Sequence, residues 1–74
     1  FNHISEILFG SKVSELYKTK IKQYPIESIL NEEYFNIKYI NETINQYLDG
    51  KELYGQQRND LMAIGTLCLI GWYK

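Results

Sequence analysis

Cysteine, proline, histidine and arginine each occur only once in this chain of 74 residues. A single cysteine, Cys68, excludes an internal disulfide and any thiolate cluster that would hold zinc or an iron–sulfur centre. Because no residue pattern calls for an oxidising compartment, we predict a cytoplasmic protein. The first residues also lack the basic start and apolar centre of a signal peptide. Since the chain begins at Phe1, we expect a piece cut from a longer polypeptide.

The chain also lacks an excess of one charge sign and a long hydrophobic run. Eight basic and nine acidic residues give a formal net charge of −1, and they are not grouped in blocks. Such a balanced charge does not indicate a basic patch that would bind a phosphate backbone or an anionic lipid surface, so we predict neither nucleic acid nor membrane as a partner. The apolar segment 61–73 has Thr66 as its only polar side chain, but its 13 residues fall short of the ~20 that span a bilayer.

What the chain has in quantity is material for a core. Hydrophobic residues make up 45% of it, including seven tyrosines and three phenylalanines, which argues against disorder. A chain of this length forms one small domain at most. We therefore predict that residues 1–74 are a single helical domain or a C-terminal helical subdomain of a larger protein.

Apolar residues at a spacing near 3.6 predict two helical segments between residues 4 and 21, separated at Gly10. We expect Gly10 to end the first segment in the left-handed conformation, and Ser11 to cap the second by accepting a backbone N–H. The second helix, 11–23, is predicted to be amphipathic, with its lysines mostly on the wet side. The apolar positions of the two helices are Ile4, Ile7, Leu8, Val13, Leu16, Tyr17 and Ile21.

Pro25 marks the end of the second helix, because proline has no backbone N–H and restricts Tyr24 to extended conformations. A further short helix is predicted to start at Pro25 and to be followed by a connector over residues 31–35. Its buried face would hold Ile26, Ile29 and Leu30.

The clearest predicted helix follows Asn36, a good cap, and stops before Gly50. Its apolar residues are Ile37, Ile40, Ile44, Tyr47 and Leu48. A last helix, about 57–73, is apolar on nearly every side and is predicted to be the central buried helix. A strand over residues 66–70 is the weaker alternative, because no hairpin signal accompanies it. The predicted fold class is all-α, with four to five short helices.

Catalytic chemistry finds little support among the side chains. His3 is the only histidine, and its candidate partners in acid–base or nucleophilic catalysis are Ser5, Glu6 and Cys68. A triad needs a base oriented by a third group, and no spacing here fixes one. Cys68 lies in the most apolar helix, where a thiol is usually inert core. We assign no catalytic residue.

Two acidic pairs are the other candidates for a chemical role. Glu32 with Glu33, and Asp49 with Glu52, would need several carboxylates and carbonyls converging on one point to hold a hard cation. The spacing provides no such convergence, so a solvated surface is the better interpretation. We assign neither a metal site nor a cofactor-binding residue to this segment.

Glycines, tyrosines and the single arginine each have a structural interpretation. Gly65 and Gly71 lie inside a helix with no Lys-Ser/Thr after them, which predicts close helix packing rather than a phosphate loop. The tyrosines lack interleaved arginine, so we expect half-buried rings rather than a stacking surface for bases. Arg58 could pair with a carboxylate or phosphate in a larger assembly. The tyrosines are at positions 17, 24, 34, 39, 47, 54 and 73.

Three segments follow one another in the order of a known family. Leu8-Phe9-Gly10-Ser11 stands at a turn into a helix, Phe35 precedes a helix that ends in Tyr47-Leu48-Asp49-Gly50-Lys51, and Leu61-Met62 to Trp72 closes the pattern. Residues from about Ile4 to Trp72 thereby resemble the extreme C-terminus of the synthetase domain of glutamine-dependent asparagine synthases. The chain departs from the usual family residues at Ile7 (Trp), Phe9 (Arg), Ser11 (Pro), Tyr47 (His) and Met62 (Trp).

The resemblance implies a parent enzyme that uses ATP and magnesium to activate the side-chain carboxylate of aspartate, or of a related substrate, as an acyl-adenylate. Ammonia released from glutamine would then attack it. The family's catalytic motifs lie upstream, so the resemblance implies that this segment is a catalytically silent helical cap with no cofactor of its own. Its implied partner is the rest of the synthetase domain, contacted through the apolar helix 61–73; another protein bound through the same helix is the alternative. Such a fragment should expose a large apolar face around residues 61–72 when isolated.

The residues alone leave another class of function open. A free-standing helical interaction module, such as a small regulator or inhibitor, would bury one helix face in a partner's groove. It predicts a closed core and one discrete exposed patch. A helix-turn-helix DNA binder is less favoured, because the candidate recognition helices do not collect positive charge. A membrane peptide is disfavoured by the short apolar run.

Overall fold

Four α-helices and one 3₁₀ turn make up the computed structural model, which describes residues 2–72 apart from the side chains of Asn2 and Ser11. The predicted all-α class is confirmed, and no strand occurs within this range. No helix there combines the length and the apolar composition needed to cross a membrane. Tyr73, predicted within the last helix, lies outside the described residues. The elements are α1 (Asn2–Phe9), α2 (Ser11–Gln23), the 3₁₀ turn (Ile26–Ser28), α3 (Ile37–Leu48) and α4 (Gly55–Trp72).

Helices α1 and α2 meet at Gly10, whose backbone is extended at φ −72° and ψ 149°. The predicted left-handed conformation is therefore wrong, and Gly10 rather than Ser11 stands at the N-cap of α2. Glycine is needed here for space, because a Cβ at this position would lie 2.4 Å from the carbonyl oxygen of Glu6. That oxygen accepts a hydrogen bond from the Gly10 N–H at 2.7 Å. The tight joint folds α2 back against α1.

Helix α2 ends where Pro25 predicts. Tyr24 is extended, at φ −121° and ψ 93°, because the proline ring disfavours helical geometry at the residue before it. The element after Pro25 is a single 3₁₀ turn, and the Ser28 hydroxyl donates to the Pro25 carbonyl at 2.6 Å. Ile26 and Leu30 are buried as predicted.

Asn36 caps the start of helix α3, and Gly50 follows its end, as predicted. The Asn36 Oδ1 accepts a hydrogen bond from the Tyr39 N–H at 3.1 Å, which satisfies a first-turn donor. Past the other end, Gly50 takes φ +80° and donates its N–H to the Tyr47 carbonyl at 3.1 Å. The Tyr39 hydroxyl donates to Asp60 at 2.6 Å, which links α3 to α4.

Helix α4 is the longest element and packs against both α1 and α3. It begins at Gly55, slightly before the predicted start, and buries Leu61, Met62, Ile64 and Cys68. The predicted central position of this helix is confirmed. It is not enclosed on every side, however, because Ile70 is 53% exposed.

Both helical glycines of α4 permit close approach, as predicted. A Cβ at Gly65 would lie 2.9 Å from the Tyr17 hydroxyl and 3.3 Å from the Leu8 methyl carbons. A Cβ at Gly71 would lie 2.6 Å from the Ile29 Cγ2. Because α1 and α2 both reach α4 at Gly65, this residue lies where three helices meet.

Candidate interaction surface

An apolar groove with a volume of about 330 Å³ lies between α1, α2 and α4. Its most open residues are Val13 and Leu16 of α2, which are 50% and 71% exposed. Large apolar side chains exposed together in a concave site are typical of a surface that binds another molecule. The groove is lined by Ile7, Val13, Leu16, Tyr17, Lys20, Leu69 and Trp72.

The four apolar positions of α2 do not form one buried face, because Val13 and Leu16 are exposed. The buried face holds Ser14, Tyr17 and Ile21, whose spacings of three and four place them on one side of the helix. Val13 and Leu16 lie on the adjoining flank. Helix α2 therefore has two neighbouring apolar faces, of which the core covers one and the other remains open.

Aromatic packing forms one wall of the apolar groove. The rings of Tyr17 and Trp72 have centroids 5.1 Å apart with their planes inclined at 60°. Tyr17 is buried and joins α2 to α4, whereas Trp72 is only half-buried. Trp72 is also the only tryptophan of the chain, so intrinsic fluorescence reports directly on the groove.

Positive charge collects on the helix that carries the open residues. Four lysines and one glutamate give α2 a net charge of +3, although the whole chain carries −1. The expectation that the helices do not collect positive charge is therefore wrong for α2. Lys12 and Lys20 lie four residues before and after Leu16, on the same side of the helix. Within residues 2–72, neither lysine forms an ion pair with a carboxylate. The apolar groove is thus bordered by unpaired cations.

A second cavity, the basic cleft, lies on the other flank of α2 and has a volume of about 530 Å³. It is bounded by the end of α1, by α2, by the segment after α3 and by the first turn of α4. Its charged lining consists of Lys18, Lys51, Glu52 and Arg58. Among the residues that the structure describes, none lines both the basic cleft and the apolar groove.

Two cations of the basic cleft rest on aromatic rings. The Arg58 guanidinium carbon lies 4.1 Å from the centroid of Phe9, and the Lys18 ammonium lies 5.1 Å from that of Tyr47. The two rings pack edge to face, with centroids 5.9 Å apart. The Tyr47 hydroxyl donates to the buried Leu8 carbonyl at 2.5 Å, which fixes this ring in place. Cation–ring attraction thereby positions both charges.

The thiol of Cys68 is buried and mainly protonated at neutral pH. Cys68 is 1% exposed, and burial raises the pKa of its thiol to about 11. Burial, with a smaller contribution from Cys68, also raises the pKa of Tyr17 well above its usual value. Since the thiolate is the reactive form, the protonated thiol of Cys68 is unreactive at neutral pH, and the residue serves to fill the core.

The four residues considered for acid–base or nucleophilic work do not share a surface. His3 and Glu6 are exposed on α1, and Ser5 is half-buried there. Cys68 is enclosed in the core on α4. No surface therefore presents the imidazole and the thiol together.

The acidic pairs lie at the surface. All four side chains, those of Glu32, Glu33, Asp49 and Glu52, are exposed, and the Tyr54 hydroxyl donates to the Glu52 carboxylate. In the part of the chain that the structure describes, no three His, Cys, Asp or Glu side chains lie close enough to hold a metal ion.

Sequence reasoning missed both the apolar groove and the basic cleft. The sequence did contain a signal for the apolar groove: Val13 and Leu16 occur in α2 among four lysines, which indicates apolar residues on an otherwise basic helix. For the cleft no local signal exists. Phe9 and Arg58 lie far apart in the chain and meet only through the packing of α1 against α4.

Comparisons with protein-family models, curated proteins and solved structures find no match to this chain. The resemblance to the C-terminus of asparagine synthases, with its ATP and magnesium, therefore stays a prediction.

Proposed function

We propose that this chain is a helical protein–protein interaction module, which binds an acidic amphipathic helix of a partner protein in the apolar groove. The observation that carries the proposal is the exposure of Val13 and Leu16 beside the half-buried Leu69 and Trp72. A partner helix with apolar residues at i, i+3, i+4 and i+7 would cover these side chains.

The way the chain packs supports a module with its own core. Leu61, Met62, Ile64 and Cys68 of α4 are buried by helices of the same chain. A synthetase fragment was expected to expose a large apolar face around residues 61–72. Among the large apolar side chains of residues 61–72, Ile70 alone is exposed, at 53%, whereas Val13 and Leu16 of α2 are both at least half exposed, which favours the interaction module over the fragment.

The charge on α2 specifies the partner's polar face. Lys12 and Lys20 flank Leu16 and lack carboxylate partners within residues 2–72. Glutamate or aspartate beside the apolar stripe of a bound helix would meet these lysines. Such complementarity chiefly increases the association rate and the specificity.

The same charge disfavours a second copy of this chain as the occupant. In a two-fold symmetric dimer the same patch meets itself, so the lysines of one α2 would face those of the other. Like charges opposed across an interface destabilise it. An acidic helix from a different protein avoids this repulsion.

The test uses two synthetic helical peptides without tryptophan. Both have leucine at i, i+3, i+4 and i+7, and their remaining positions carry mainly glutamate in one peptide and lysine in the other. Trp72 fluorescence is followed as each peptide is added. We expect saturable binding of the glutamate peptide, and binding of the lysine peptide weaker by about tenfold or more, since like-charge contacts cost several kcal/mol.

Two variants locate the binding site. Leu16→Glu places a carboxylate at the centre of the groove and should abolish the fluorescence response. Tyr34→Glu makes the same kind of change at a tyrosine that is exposed and does not line the groove, so binding should be unchanged. Equal binding by both variants, no binding of either peptide, or a dimer that Leu16→Glu dissociates would overturn the proposal.

A further inference from the structure

The basic cleft holds cations that are positioned but not neutralised. Lys18 and Arg58 lie over the rings of Tyr47 and Phe9, and neither pairs with a carboxylate within the described residues. A guanidinium that stacks on a ring keeps its N–H donors free at the edge, in a planar fork that matches carboxylate and phosphate oxygens. The rings therefore fix the direction of the charges and leave their hydrogen-bonding capacity unused.

The charge of the lining indicates how much negative charge a ligand should carry. Lys18, Lys51 and Arg58 contribute three positive charges, and Glu52 contributes one negative charge. The Glu52 carboxylate already accepts a hydrogen bond from the Tyr54 hydroxyl. Within residues 2–72, the lining thus has a surplus of two positive charges. A phosphate monoester, with a charge of about −1.5 to −2 at neutral pH, offsets this surplus better than a single carboxylate does.

The cleft also has room for more than a phosphate ion. Its volume of about 530 Å³ is within the range of small-molecule sites. Apolar and aromatic side chains contribute to the lining beside the cations, among them Phe9, Leu53 and the exposed Tyr54. These surfaces would pack against an apolar or planar group attached to the phosphate.

We propose that the basic cleft is a binding site for an organic phosphate monoester. Arg58 binds the phosphate through its fork of N–H donors, Lys18 and Lys51 add charge from two other sides, and the organic group packs beside Phe9 and Tyr54. The site is separate from the apolar groove, since the two share no lining residue in the described part of the chain.

The test is an NMR titration of the ¹⁵N-labelled chain with phenyl phosphate, inorganic phosphate and benzyl alcohol. Phenyl phosphate should shift the resonances of Gly50, Lys51 and the Arg58 side chain saturably. It should bind about tenfold more tightly than inorganic phosphate, because stacking on aromatic side chains adds to the ionic contacts. Benzyl alcohol, which has the ring but no charge, should cause no saturable shift.

Charge-neutralising variants assign the site. Arg58→Gln and Lys51→Gln should each weaken phenyl phosphate binding, Arg58→Gln by about tenfold or more, since it removes charge-assisted hydrogen bonds. Lys22→Gln makes the same charge change on the exposed side of α2, outside the cleft, and should leave binding unchanged. Lys51 is exposed in a loop, so its variant also covers the case in which Arg58→Gln does not fold. The absence of saturable shifts, equal binding of phenyl and inorganic phosphate, or equal weakening by Lys22→Gln would overturn the proposal.

Discussion

Two leucines of this chain should respond very differently to the same truncation. Fully burying a leucine side chain contributes about 1.5–3 kcal/mol, so Leu16, at 71% exposed, gains roughly 0.4–0.9 kcal/mol from its partial burial. Leu8 is 1% exposed, and its truncation would also leave a cavity beside Gly65. We expect Leu8→Ala to lower the free energy of unfolding by about 2–5 kcal/mol, and Leu16→Ala by less than about 1 kcal/mol.

Urea unfolding followed by far-ultraviolet circular dichroism measures both changes in one experiment, provided that the two variants retain the wild-type slope. A domain of this size has a stability of about 4–11 kcal/mol, so the loss at Leu8 is a large fraction of the total. An equal loss of stability in Leu16→Ala and Leu8→Ala would show that Leu16 is buried in the folded protein and that the apolar groove is closed.

Three further predictions concern the core. Tyr47→Phe should cost about 1–2 kcal/mol in the same assay, because the buried Leu8 carbonyl loses its donor; no change would contradict this. Gly65→Ala should lower the free energy of unfolding by up to about 2 kcal/mol, because the added methyl group would crowd Tyr17 and this cost exceeds the gain in helix propensity. A variant more stable than the wild type would show that α4 does not approach Tyr17 closely at Gly65. Burial raises the pKa values of Tyr47 and Cys68 to about 12 and 11, which favours their neutral forms. Their contribution to the free energy of unfolding is therefore fully present below their ordinary pKa values of 10.0 and 9.0, and it is lost as the pH rises above 9. A free energy of unfolding that stays constant from pH 7 to 11 would contradict this prediction.

The helix ends that the sequence predicts correctly depend on local chemistry. Asn36 can cap only the helix that follows it, Pro25 disfavours helical geometry at Tyr24 before it, and Gly50 takes a positive φ that other residues rarely adopt. These signals act within a few residues, so they can be recognised without knowledge of the tertiary fold.

The predictions that fail, or that could not be made, concern contacts between helices. Gly10 is required by the nearby Glu6 carbonyl rather than by a left-handed backbone, and a sequence does not distinguish these two uses of glycine. Periodicity identifies Val13 and Leu16 as apolar positions on α2 but does not reveal that α1 and α4 leave them uncovered. The cation on the Phe9 ring likewise depends on how α1 packs against α4.

The most direct test of the interaction module is to map where the glutamate peptide binds, by NMR chemical shifts of the ¹⁵N-labelled chain. If the peptide binds in the apolar groove, we expect chemical-shift changes at Ile7, Val13, Leu16 and Leu69, with the Trp72 indole N–H among the most affected. Shifts confined to the lysines of α2 and to Arg58, with the groove residues unchanged, would show that the peptide is held by charge alone. That result would contradict the apolar groove as the binding site.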